Sequence, residues 1–188
     1  MSVRQGLLAL LAEKPRYGYE LRAEFEARTG STWPLNVGQV YTTLARLERD
    51  GCVAATGESD TGQQYYEITA DGLAEVHDWF ITPVRRESRP RDELAIKLAL
   101  AVGSDVDVRQ VVQTQRTDSM RALQDYTRLK AQANQQELGW LLVLEGLIFQ
   151  TEAEVRWLDH CESRLAQAIR PVSTAPRSAV SAQVEATR

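Results

Sequence analysis

Asn36-Val37-Gly38-Gln39-Val40-Tyr41-Thr42-Thr43-Leu44-Ala45-Arg46-Leu47-Glu48-Arg49-Asp50-Gly51 is the most informative segment of this 188-residue chain. An asparagine opens it, with a side chain able to accept from the unpaired amides of a first helical turn, and Gln39 stands in the capping-box position three residues on. Gly51 closes it, because glycine enters the left-handed conformation after a last turn without steric penalty. Between these stops the apolar residues recur at spacings of three and four. Val37, Val40, Tyr41, Leu44 and Leu47 are predicted to face inward, and Gln39, Thr42, Thr43, Arg46 and Arg49 outward. An outward face of small polar groups and arginines carries the donors and acceptors that base edges and phosphates in a major groove require. The plainer account of the same face is solvation.

The flanks extend the pattern. Upstream, Val3 to Lys14 has Val3, Leu7, Leu10 and Leu11 on one helical face, and Pro15-Arg16-Tyr17-Gly18 is a break. Tyr19 to Thr29 resumes the helical period through Leu21 and Phe25 until Gly30 ends it, and Ser31 to Leu35 is a loop. Downstream, Cys52 to Thr56 and Gln64 to Thr69 are short strand-like runs around the turn formers Gly57 to Gln63. Three helices and then a hairpin is the element order of a winged helix-turn-helix. A fourth helix opens at Thr69-Ala70-Asp71-Gly72, with Leu73, Val76, His77 and Phe80 on one side and Pro83 at its end.

The second half of the chain is helical and differently patterned. Residues 84–91 form a basic, proline-containing linker. Asp92 to Val102 is a short helix containing Leu94, Ile96, Leu98 and Leu100, and Ser104 with Asp107 signals the start of a long helix reaching Asn134. A second long helix spans Gln136 to Ile169. Along it Leu141, Leu144, Ile148, Thr151, Val155, Leu158, Glu162, Leu165 and Ile169 form a heptad seam. We expect this seam to pack both on the preceding helix and on a second copy, with Leu141, Leu144, Ile148, Val155, Leu158 and Leu165 as dimerisation residues. The expected fold is mainly α: a winged helix-turn-helix with a small β-hairpin wing over 1–83, then a helical dimerisation and effector domain over 92–170. Residues 171–188, without an aromatic side chain, are expected to be a disordered tail.

Composition narrows the function. With 43% hydrophobic and 26% charged residues the chain is expected to be an ordinary globular protein. The longest apolar stretch, Trp140 to Phe149, contains Glu145 and is far shorter than the roughly 20 residues of a membrane span. The opening apolar run meets Glu13-Lys14 with no cleavage site, so the expected location is the cytoplasm. Cys52 and Cys161 stand apart and are expected to be reduced thiols, and His77 and His160 sit inside helical patterns without a nearby ligand set, so no metal or cofactor is expected. There is no glycine-rich phosphate loop and no nucleophile with a base, which argues against an enzyme. The net charge of −4 runs against a nucleic-acid binder. Phosphate contacts are nevertheless local, screened within about 8–10 Å, and a basic cluster on one face suffices, with salt-sensitive affinity.

Taken together, these segments resemble the PadR family of bacterial regulators. The resemblance rests on Leu7-Leu8-Ala9-Leu10-Leu11 followed by Tyr17-Gly18-Tyr19-Glu20-Leu21, on Val37 to Gly51, and on Tyr66-Glu67-Ile68-Thr69-Ala70-Asp71-Gly72. Arg91 to Leu98 and Glu154-Val155-Arg156-Trp157-Leu158 are similar to the virulence-activator type of C-terminal half. The resemblance implies a homodimeric, usually repressing regulator of double-stranded DNA, with a small-molecule effector near the dimer interface. Candidate DNA-contacting residues are Asn36, Gly38, Gln39, Tyr41, Thr42, Thr43 and Arg46 in the third helix, and Tyr17 and Tyr19 at the start of the second. Asn36 could cap rather than touch DNA, Tyr41 is expected in the core with its hydroxyl near the duplex backbone, and Tyr17 and Tyr19 could equally be packing residues. Gln63, Gln64 and Tyr65 are the wing candidates. Many relatives carry Arg or Lys there, so the third helix is expected to carry more of the affinity. Trp79, Trp140, Glu145 and Trp157 are candidates for an effector pocket, although core or interface packing explains such aromatics as well. Two winged helices would read half-sites of a pseudo-palindrome about 34–36 Å apart or a multiple of it. The competing expectation is a winged helix used for protein interaction without sequence-specific DNA binding.

Overall fold

A computed structural model describes residues 3–58, 62–84 and 92–168. The linker arginines, the tail and the very tip of the wing lie outside the described residues. Helix α1 (Val3–Leu11) is followed by strand β1 (Arg16–Tyr17), α2 (Gly18–Arg28), α3 (Val37–Arg49), β2 (Val53–Glu58), β3 (Gln64–Ile68) and α4 (Ala70–Ile81). Helix α5 (Glu93–Ala101) then leads into two long helices, α6 (Val108–Gln132) and α7 (Leu138–Ala168).

Helix α1 stops at Leu11, three residues before the predicted end, since Pro15 offers no amide and disfavours helix in the residue before it. The predicted break at residues 15–18 holds a strand. Arg16 pairs opposite Tyr66 and Tyr17 opposite Tyr65, giving a three-stranded antiparallel sheet of order β1-β3-β2. Two residues are too few to show a strand period, so only the partner strand reveals β1. The Arg16 side chain is buried, where its guanidinium donates to the Leu10 carbonyl and to Glu13, placing a cation on the free end of α1. A bulge between Ala55 and Gly57, with Gly57 at φ 141°, twists the hairpin.

Leu7, Leu8 and Leu11 of α1, Leu21 of α2, and Val40, Leu44 and Leu47 of α3 are fully buried together, with Val53 and Val76 closing the core. Burying each such side chain contributes about 1.5–3 kcal/mol, which holds α3 against α1 and α2 by one face only. Helix α4 departs from expectation: Val76 is inward, whereas Leu73, His77 and Phe80 are exposed. Its closest approach is made by Gly72, where a Cβ would lie 2.2 Å from the Cys52 carbonyl oxygen. The helix therefore crosses the start of β2 backbone to backbone, turning Leu73 and Phe80 away.

Helices α6 and α7 form an antiparallel arm, since Gln115 and Ser119 near the start of α6 meet Glu154 in the second half of α7, and Lys130 meets Glu145. The cap of α6 is Asp107, accepting from the amides of Arg109 and Gln110, whereas the expected cap Ser104 donates to the Ala101 carbonyl instead. Leu98, Val112 and Leu158 make a second small core where α5 packs on the arm. Within the expected dimerisation seam, Leu141, Leu144 and Leu158 are buried inside the single chain, with Ile148, Val155 and Leu165 half-buried. Leu138, Leu142 and Phe149, outside the seam, are the exposed apolar residues of α7's first half, each about two-thirds exposed. At its start α7 reaches back to α2. The Trp140 ring lies against Gly30, whose φ of 56° and missing side chain leave room for it.

Candidate nucleic-acid interface

The outer face of α3 is built by its cap and by the loop before it. Leu35 is buried and donates its amide to Glu26, which Arg22 also holds, and both interactions keep the Glu26 carboxyl below its usual range. Asn36 Oδ1 then accepts from the Gly38 amide at 2.8 Å. That acceptor is used in the cap. Gln39 does not complete a capping box and stands exposed. The box partner appears one helix earlier, where Glu20 accepts from the Tyr17 amide at the start of α2. Sequence spacing alone could not choose between the two, because a capping glutamine is indistinguishable from a free one until its rotamer is set.

Gln39, Thr42 and Arg46 lie exposed on one stripe of α3, with Thr43 half-buried beside them. The hydroxyls of Thr42 and Thr43 donate to the carbonyls of Gly38 and Gln39, four residues back, so each presents an acceptor lone pair and a methyl group outward. The Arg46 side chain forms no ion pair or hydrogen bond among the described residues. Some acids of the first half are held by other arginines: Glu13 by Arg16 and Arg28, Glu24 by Arg28, Glu26 by Arg22, Glu75 by Arg4, and Asp50 by Arg4 and Arg49. The stripe is left with an uncompensated guanidinium.

Tyr41 corrects the expectation of a core side chain, being 36% exposed. It lies across the start of α2, where a Cβ on Gly18 would come within 2.7 Å of its ring, and its ring meets Tyr19 edge to face at 6.5 Å. The glycine is what lets α3 approach so closely that a tyrosine at an inward helical position is displaced to the rim. Tyr17 and Tyr65 make a second edge-to-face pair at 5.5 Å, joining β1 to the wing. Both pairs fix the starts of α2 and α3 relative to the sheet. Gln64 donates to the carbonyls of Gly57 and Tyr65, so it braces the hairpin, and Gln63 sits half-buried beside it.

The four expected effector-pocket residues do not converge. Trp79 leans on Phe80 at the exposed end of α4, Trp140 lies on Gly30, Glu145 pairs with Lys130 at 2.7 Å, and Trp157 lines a cleft between α5, α6 and α7. The sequence places them on helices but does not assign them to faces of a bundle whose packing it leaves unknown.

Three helices with α3 outermost and a three-stranded wing define a winged helix-turn-helix, the fold class of DNA-binding regulators. Residues 7–78 match the Transcriptional regulator PadR-like family, and residues 90–166 match the Virulence activator alpha C-term family. The chain thus joins a PadR-like domain to a virulence-activator C-terminal domain, both of them domains of transcriptional regulators rather than enzymes. It is 27% identical to "Probable transcriptional regulator Rv1176c" of Mycobacterium tuberculosis, over 88% of this chain and 98% of that protein. Its fold resembles that of Bacillus subtilis PadR solved in complex with operator DNA, with TM-score 0.66 and 20% identity over 86% of this chain and 97% of that one. The Vibrio cholerae virulence activator AphA is similar at TM-score 0.66 and 23% identity, over 89% of this chain and 99% of that one. Among the described residues no helix is long and apolar enough to cross a membrane.

Proposed function

We propose that the chain is a homodimeric repressor that occupies a pseudo-palindromic operator, each copy laying α3 in a major groove. The observation that carries the reading is the stripe of Gln39, Thr42 and Arg46, exposed and at helical spacing, with an arginine that no acid among the described residues pairs with. Gln39 suits adenine and Arg46 suits guanine or phosphate. Thr43 and Tyr41 lie along the same edge, within reach of backbone phosphates in this reading, and Gly38, without a side chain, lets the helix start approach one. Asn36 acts through the helix start it caps. Tyr17, Tyr19 and Tyr65 hold the helix starts and the wing in place, and Gln63 and Gln64 bring the wing to the adjacent backbone with polar rather than cationic groups.

The dimer is assigned to the arm. Leu141, Leu144 and Leu158 contribute to it indirectly, by fixing α7 on its own chain, while Ile148, Val155 and Leu165 border the surface a second copy would cover. Residues 1–83 form the DNA-binding domain and 92–170 the dimerisation and effector domain, with a small molecule relieving repression by favouring a dimer whose α3 spacing no longer matches the operator. Regulation takes place in the cytoplasm.

The test is a mobility-shift assay on the DNA upstream of the chain's own gene, with Gln39→Ala and Arg46→Ala beside the wild type. Each replacement is expected to weaken specific binding by roughly 1–3 kcal/mol while the fold, followed by circular dichroism, stays intact. Undiminished operator binding by the double variant would reject the assignment.

A further inference from the structure

Thr42 is the outermost side chain in the middle of α3. Val40, Leu44 and Leu47 are fully buried and Val37 is half-buried. At about 100° per residue, the direction opposite that stripe falls on Thr42 and, two turns later, on Arg49. Arg49 is in the last turn and is drawn to Asp50 at 3.2 Å, which leaves Thr42 to face a ligand at the helix centre. Its hydroxyl donates to the Gly38 carbonyl at 2.7 Å. The single donor of the group is thereby used inside the helix, and a methyl group and an acceptor lone pair remain for a ligand. Gly38, one turn earlier, has no side chain to cover them. Thr43 is tied in the same way to the Gln39 carbonyl, but it lies half-buried at the edge of the face.

In a major groove thymine alone among the four bases carries an apolar group, its 5-methyl, and the adenine opposite it presents an N6 amino donor. An A·T pair therefore offers both things that Thr42 is left able to meet. A G·C pair offers the N4 amino donor of cytosine without the methyl. The guanine acceptors N7 and O6 need a donor, and Thr42 would first have to give up its bond to Gly38.

We propose that Thr42 determines specificity for a thymine in each half-site, its methyl packed on the thymine 5-methyl group. The proposal rests on the DNA-binding reading above and adds a base feature to those that Gln39 and Arg46 suit. It makes operator recognition depend on a methyl group that takes no part in base pairing.

The test uses the full-length protein and a duplex that it selects from a random-sequence pool. Each thymine of the half-site is replaced in turn by deoxyuridine, at the matching position of both half-sites. This removes the 5-methyl and keeps every hydrogen-bonding group. At one position the replacement is expected to weaken wild-type binding by about fivefold or more. Thr42→Ser, which keeps the hydroxyl and loses the methyl, is expected to bind the thymine and uracil duplexes equally. Thr42→Val, which keeps a methyl and loses the hydroxyl, is expected to retain the discrimination. Uracil tolerated at every position by the wild type, or a penalty that persists in Thr42→Ser, overturns the assignment. Loss of the discrimination in Thr42→Val does so too, because it puts the hydroxyl in the contact. A selected duplex that Arg46→Ala no longer binds, but on which uracil costs the wild type nothing, rejects the role of Thr42 alone. A pool that yields no selected site rejects the DNA-binding reading and this inference with it.

Discussion

Arg4 is the residue on which three elements of the first half converge. From α1 it donates to Glu75 of α4 at 2.8 Å and to Asp50 at the end of α3 at 2.7 Å, with the Cys52 thiol beside it. Chiefly through its hydrogen bonds from Arg4, the Glu75 carboxyl is held down at about 2, against an ordinary value of 4.5, and Asp50 is lowered as well. Both groups bind protons more tightly in the unfolded chain, so their contribution is fully present above about pH 4.5 and is lost as the pH falls toward 2. We therefore expect the melting temperature to drop through that window, and Glu75→Gln to flatten its lower part while costing stability at neutral pH. Thermal melts from pH 6 to pH 2.5, showing the same slope for both proteins, would contradict this. None of this was visible in the sequence. Arg4 and Glu75 are 71 residues apart, and a charged residue on a helical repeat is read as solvated by default.

Among the elements, α3 and the α2–α7 contact stand at opposite ends of legibility. The ends of α3, its buried stripe and its polar stripe all follow from local signals: a capping asparagine, a terminal glycine, apolar residues at three and four. What was misassigned, Tyr41, depends on a neighbour, since only the missing side chain at Gly18 draws the ring to the rim. The contact between Trp140 and Gly30 is of the second kind. In sequence Gly30 is a helix stop and Trp140 an apolar residue on a long helix. In the fold, a Cβ on Gly30 would fall 2.3 Å from the indole, at a φ that already disfavours any side chain. Gly30→Ala is expected to cost about 1–3 kcal/mol from backbone strain and the displaced ring together, and to shift Trp140 fluorescence toward the red. Because α7 carries the arm and α2 supports α3, the same variant is expected to lose operator affinity beyond its loss of stability. Unshifted emission, read in a protein whose other tryptophans are replaced by Phe, would show that the contact does not couple the two halves.

At the scale of the whole molecule the question is what covers the arm. Its heptad leucines are turned inward on α6, while Leu138, Leu142 and Phe149 of α7 stand exposed, and the proposed second copy would pack there. Replacing Leu142 and Phe149 by Glu is expected to yield monomers in sedimentation velocity, and to reduce operator affinity by at least a hundredfold because paired half-sites are then bound independently. A double variant that remains dimeric would move the interface elsewhere.

Element order, helix ends, the wing and the polar stripe of α3 could be read from the chain because each is a local event: periodicity, a cap or a glycine acts within a turn or two of itself. The two-residue β1 strand, the exposure of Tyr41, the Arg4 ion pairs, the inward turn of the heptad leucines and the separation of the four candidate pocket residues were decided by packing. They join positions far apart in the chain, where no local spacing records which faces will meet, and burial of apolar surface selects the arrangement only once all the elements are present.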